Sequence, residues 1–184
     1  MDEAKALAMM EFKSIGWGLA TLDRLLKGFP VELIFLRILC PGKLLAAVTG
    51  EIAAVRGALQ RARENNLTYI DDFFLGNPHP GLLAAVRDVW PVELERLGAL
   101  GIIETFTASS ALVAADTACK AGAVTLANLH MARGLAGKAH VYLTGSVGAV
   151  EVALEAVEGQ LEPGSLSRQT IIPSPDMETW RAVL

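Results

Sequence analysis

The chain repeats itself. Shifted by 93 positions, Glu11 falls on Glu104, Asp23 on Asp116, Lys27 on Lys120, Val31 on Val124 and Leu36 on Leu129. Beyond the next loop the shift becomes 95. There Gly42-Lys43 falls on Gly137-Lys138, Thr49-Gly50 on Thr144-Gly145, Val55 on Val150 and Ala58-Leu59 on Ala153-Leu154. Pro78-His79-Pro80 then lies opposite Pro173-Ser174-Pro175. The second copy differs in spacing by a two-residue insertion between Leu129 and Gly137. So many matches in order, at one register, mark an internal duplication. Each copy must therefore fold as one small supersecondary unit.

Both copies give the same pattern of elements. A strand is expected at Ala8 to Lys13 and at Gly101 to Thr107. A helix follows, with apolar residues at helical spacing: Leu19, Leu22, Leu25 and Leu26 in one copy, Leu112, Ala115, Ala118 and Cys119 in the other. Gly28 and Gly122 mark the helix ends. A hairpin follows, Val31 to Ile38 with Lys43 to Thr49, and Val124 to Met131 with Lys138 to Thr144. The second helix is expected at Ile52 to Arg63 and at Val147 to Val157. A fourth strand runs from Tyr69 to Leu75 and from Arg168 to Ile172. A short helix closes each copy, and Trp90-Pro91 interrupts the first of these. The fold class is α/β (α+β): two ferredoxin-like βαββαβ units, each a four-stranded antiparallel sheet with flanking helices. The domains are residues 1–97 and 98–184.

Composition bears on how the units are used. Hydrophobic residues make up 52% of the 184 residues, more than a small core hides, so partner subunits are expected to cover the excess. A membrane helix needs roughly 20 apolar residues in a row. The run from Val31 to Leu39 is cut by Glu32 and Arg37, and that from Ala111 to Ala132 by Asp116 and Lys120. The opening Met1-Asp2-Glu3-Ala4-Lys5 is unlike a signal peptide, so a cytoplasmic protein is expected. The formal net charge is −4, with no basic stripe for nucleic acid. Cys40 and Cys119 do not form a CxxC pair.

The repeated residues carry a family resemblance. In the second copy Gly101-Ile102-Ile103-Glu104 is followed by Ala114-Ala115-Asp116-Thr117-Ala118-Cys119-Lys120-Ala121, then Gly137-Lys138, then Gly145-Ser146-Val147-Gly148-Ala149-Val150. The first copy keeps Glu11, Asp23, Lys27 and Gly42-Lys43. This series resembles the shell domain of bacterial microcompartments (BMC) over nearly the whole chain. The segments Leu39-Cys40-Pro41-Gly42-Lys43, Thr125-Leu126 before His130-Met131-Ala132, Ile172-Pro173-Ser174-Pro175 and Trp180-Arg181 resemble the tandem-domain type found in propanediol-utilisation compartments.

That resemblance implies a shell tile: a homotrimer of pseudohexagonal outline, joined laterally to other shell proteins and facing lumenal redox enzymes. It implies a central pore where the cysteine of the Cys-Pro-Gly loop, here Cys40, binds a [4Fe-4S] cluster shared by three protomers. It places Cys40, Pro41 and Gly42 on the pore, alternating with Arg133, Gly134 and Leu135 of the second loop. It places Lys27 and Lys120 at the tile edge. The family's edge arginine is missing, and His79 stands near its place. Read from residues alone, Cys40 is a small side chain with an idle thiol in a tight exposed turn. Iron–sulfur clusters take about four thiolates, which a single chain lacks unless a symmetry axis multiplies the residue. A three-cysteine zinc site is the other metal reading. Lys27 and Lys120 also suit the C-terminal end of a helix dipole.

No catalytic set converges. There is no phosphate-binding glycine loop and no HExxH. Asp71-Asp72 reads as a solvated strand end. His130 and His140 flank the second loop and read as structural or solvated, as Cys119 reads as core. A non-enzymatic shell protein is expected. Its pore either carries the cluster, for electron transfer or cluster delivery, or conducts small metabolites with Cys40 as a bystander. A free-standing regulatory trimer with no shell is a third class.

Overall fold

A computed structural model describes residues 5–64, 69–87, 97–131 and 138–184. The first repeat contains β1 (Lys5–Phe12), α1 (Ile15–Gly28), β2 (Val31–Leu39), β3 (Lys43–Glu51), α2 (Ile52–Arg63) and β4 (Tyr69–Leu75), then α3 (Pro80–Val86). The second contains β5 (Ala99–Thr105), α4 (Ala108–Ala121), β6 (Thr125–Met131), β7 (Ala139–Gly145), α5 (Val147–Gln160) and β8 (Leu166–Ile172), then α6 (Met177–Val183). Each repeat forms one four-stranded sheet, in the orders β2-β3-β1-β4 and β6-β7-β5-β8. Neighbouring strands are antiparallel throughout.

The duplication extends to irregularities. The β2–β3 register shifts between Leu33 and Phe35, and the β6–β7 register shifts at the matching Leu126 and Asn128. The β1–β4 shift at Glu11/Phe12 recurs in β5–β8 at Glu104/Thr105. Bulges bend a strand and turn its side chains, so keeping both preserves the sheet's curvature. The first helix of each repeat starts the same way. Ser14 and Thr107 accept from the backbone N–H of Trp17 and Ser110, satisfying donors the helix leaves unpaired.

Burial follows strand alternation. Ala6, Ala8, Met10 and Phe12 of β1 face α1 and α2, where they meet Leu22, Leu25, Leu44, Val48, Val55 and Leu59. In the second repeat α6 lies on the other face of the sheet, and Trp180 is buried there with Leu100 and Ala127. The expected helix-end glycines lie at the ends without adopting a left-handed conformation. Gly28 closes α1, and Gly122 caps α4 in an extended conformation. Gly122 is small for packing: a Cβ there would meet the carbonyl oxygen of Ala149 at 2.7 Å.

The compact units are Met1–Pro78 and His79–Leu184. The repeat boundary expected at 97/98 follows sequence similarity, whereas the packing boundary falls before α3. That helix packs against α4 and β6. Trp90-Pro91 lies outside the described residues.

Asp72 is more than a solvated strand end. Arg63 grips it through Nε and Nη2, each at 2.6 Å, and the Tyr69 hydroxyl donates to it at 2.6 Å. The fork ties the end of α2 to the edge strand β4. Hydrogen bonding from Arg63 holds the Asp72 carboxyl below its ordinary value. Burial, then the bond to Asp72, pushes the Tyr69 phenol up. A forked, partly exposed pair of this kind contributes on the order of 1 kcal/mol. A depressed carboxyl contributes fully above its unfolded value and loses its contribution as pH falls through the folded one. Asp72→Asn is therefore expected to lower stability near pH 7, with the difference from the parent shrinking below about pH 4. Denaturant melts at several pH values check this; a gap that widens in acid contradicts it.

Candidate functional site

The residues singled out in the sequence fall into two groups. Cys40, Pro41 and Gly42 form the exposed tip of the β2–β3 hairpin. The Gly42 N–H donates to the Leu39 carbonyl at 2.8 Å, and Gly42 adopts φ +89°, where a side chain would be strained. The Cys40–Pro41 bond is cis. Below the tip, Lys43 Nζ donates to Glu11 Oε1 at 2.8 Å, and both groups are partly buried. This pair ties the base of the hairpin to β1. The thiol of Cys40 therefore projects from a held turn and is unpaired with other cysteines. Arg133, Gly134 and Leu135, the other residues assigned to the pore, lie outside the described residues.

Cys119 is the opposite case. It is buried on α4, and burial followed by the Asp116 charge pushes its thiol up to about 11. Such a thiol is an inert core group.

The second group is centred on Asp116. Among the described residues it is the one buried charged side chain, and it is fully engaged. Lys120 Nζ donates to its Oδ2 at 2.5 Å, and the His79 backbone N–H donates to its Oδ1 at 2.6 Å. A buried carboxylate needs both partners, since losing either leaves a charge without compensation. His79 caps α3, its Nδ1 accepting from the Gly81 N–H at 3.1 Å. Two residues assigned to the tile edge, His79 and Lys120, thus meet through a carboxylate that sequence reading matched only as part of the repeat. Lys27 makes the matching i,i+4 bond to Asp23 at 2.7 Å, but there both side chains are exposed.

His130 and His140 face each other across β6 and β7. Both rings stand edge-on to Tyr142, at 5.8 and 6.3 Å between centroids. Asn128 Nδ2, near His130, also donates to the Val183 carbonyl at 2.6 Å and so holds the end of α6. Among the described residues of one chain, no three His, Cys, Asp or Glu side chains are placed to hold a metal ion. A metal group at Cys40 needs thiolates from further copies.

Comparison with known proteins agrees with this fold. The BMC domain family matches residues 6–78 and again 99–175. The chain is 34% identical over 185 residues to the bacterial microcompartment shell protein PduT of Citrobacter freundii, covering 98% of each chain. It is 37% identical to a microcompartment protein of known structure from Desulfitobacterium hafniense, with a TM-score of 0.90, covering 96% of this chain and 98% of that one. A fused permuted hexameric shell protein of the RMM microcompartment shares the fold at 19% identity, with a TM-score of 0.58, covering 84% of this chain and 82% of that one.

The contrast between the two cysteines gives a direct expectation. In metal-free native protein, a water-soluble maleimide should label Cys40 within minutes and leave Cys119 unlabelled until the chain unfolds. Intact mass before and after denaturation reads this out, and rapid double labelling of folded chain contradicts the placement of Cys119.

Proposed function

This chain belongs to the BMC domain family and is a tandem-domain shell protein of a bacterial microcompartment, and we propose that it forms a homotrimeric tile whose three Cys40 thiolates hold an iron–sulfur cluster on the central axis. The observation that carries this reading is the position of Cys40, exposed at the tip of a hairpin pinned by the Glu11–Lys43 pair. A held, solvent-facing cysteine is suited to a site shared between copies, whereas a cysteine kept for packing is buried like Cys119.

The donor chemistry fits the group. Soft thiolate ligands favour iron–sulfur clusters, and three of them leave one iron for a ligand from outside the trimer. When bound, such a cluster supplies one-electron redox chemistry, for electron transfer or cluster delivery across the shell. The chain's own part is to place the thiol and hold the turn. The role is structural and non-catalytic, with lumenal redox enzymes as the partners that exchange electrons with the tile. Lys27 and Lys120, at the ends of α1 and α4, are proposed to join tile to tile, with His79 supporting Lys120 through Asp116.

Two measurements test this. Protein purified without oxygen should be brown, with a broad charge-transfer absorption and a cluster signal in EPR after reduction; Cys40→Ser should lose the colour and the iron. A colourless, iron-free parent after attempted reconstitution would favour a metabolite-conducting pore instead. Separately, Lys27→Gln, which spares the Lys120 that compensates buried Asp116, should leave the trimer intact while weakening extended sheets in electron micrographs. Normal sheets from this variant contradict the edge role of Lys27.

A further inference from the structure

The second repeat carries a polar row that the first lacks. His130 of β6 and His140 of β7 are direct cross-strand partners, and Glu104 of β5 is the next residue along the row. Residues paired in this way project from one face of the sheet, so the three side chains share it. His130 is exposed, and His140 and Glu104 are half-buried. In the first repeat the same places hold Arg37, Leu45 and Glu11.

The carboxylates differ as well. Glu11 is held by Lys43 at 2.8 Å. Lys138, which matches Lys43, is turned over the Phe106 ring instead, its Nζ 5.2 Å from the centroid. Among the described residues Glu104 has no ion-pair or hydrogen-bond partner. Its charge is felt by Tyr142, whose phenol is pushed up by burial and then by Glu104. A half-buried anion beside two imidazoles favours a bound cation.

The two rings are also set for exchange. His130 Nε2 lies 3.1 Å from Asn128 Nδ2. That amide nitrogen has two hydrogens, and the main-chain oxygens of Val183 and Leu184 lie 2.6 and 3.3 Å from it. When Nε2 turns to another partner, the amide therefore keeps two acceptors. His140 Nδ1 lies 3.5 Å from the Tyr142 hydroxyl. A metal on Nε2 of His140 leaves the Nδ1–H to donate to that hydroxyl oxygen, the outer bond that metal-binding imidazoles use.

We infer that His130 and His140 form a two-imidazole site for a divalent transition-metal ion of the zinc class, with Glu104 supplying the compensating charge. Opposed side chains of this kind have Cβ atoms about 4.5–5.5 Å apart. One ion can bridge them through nitrogen bonds of about 2.0–2.1 Å. Imidazole ligands suit zinc, copper and nickel. Glu104 acts through its charge rather than as a third ligand, since no three such side chains are gathered among the described residues. The remaining coordination positions are left to water or to a ligand from outside. The site lies within one chain, uses no cysteine, and is independent of any cluster at Cys40.

The test is calorimetric titration of zinc ion into the full chain carrying Cys40→Ser, which removes the exposed thiol. One ion per chain is expected to bind. His130→Gln or His140→Gln, added singly, should abolish binding, and Glu104→Gln should weaken it about tenfold. A chain that binds no zinc, or histidine variants that bind it as before, overturns the site; an affinity unchanged by Glu104→Gln overturns the charge role. The second readout leaves all three histidines of the chain intact. In NMR spectra of the imidazole nitrogens, zinc should shift His130 and His140 together and leave His79 in place. Shifts at His79 alone, or at none of the three, overturn the assignment.

Discussion

Closure of the α4–β6 edge is the interaction on which the rest depends. A four-stranded sheet with helices on one face leaves an edge strand and one helix flank to be covered. In the second repeat α3 supplies that cover, and its anchor is a carboxylate sealed from water between Lys120 and the His79 amide. Burying Asp116 is tolerable because both oxygens are engaged. The matching positions on α1 and β2 lack this cover within the chain, and Leu36 and Ile38 are exposed there.

The placement of the cysteine follows from the β2–β3 hairpin. Cys40 is found in one hairpin, at the tip of a turn fixed below by Glu11 and Lys43. A residue that serves packing would be as well placed in both copies, as the apolar residues of β1 and β5 are. A thiol held outward in one copy is free of that packing role.

Much of the fold was legible in the sequence. Apolar periodicity located α2 at Ile52–Arg63 and β4 at Tyr69–Leu75, as observed. The repeat register carried the pairing of elements between copies, and Pro41-Gly42 signalled an exposed turn. Other features depend on partners distant in sequence and were not legible. The fork joins Arg63 to Asp72 across nine positions of the chain, so Asp72 read as a solvated strand end. The burial of Asp116 depends on His79, 37 positions away. Local pattern gives Asp23 and Asp116 the same environment, and tertiary cover separates them. The matched bulges were equally silent, since a shift in register leaves the order of residue types unchanged.

The most direct test of three chains sharing one thiolate-bound group is native mass spectrometry of anaerobically reconstituted protein. The expected species is three chains carrying the mass of one iron–sulfur cluster, with Cys40→Ser giving three chains and no added mass. Three parent chains that carry no cluster, or one cluster on each separate chain, would contradict it.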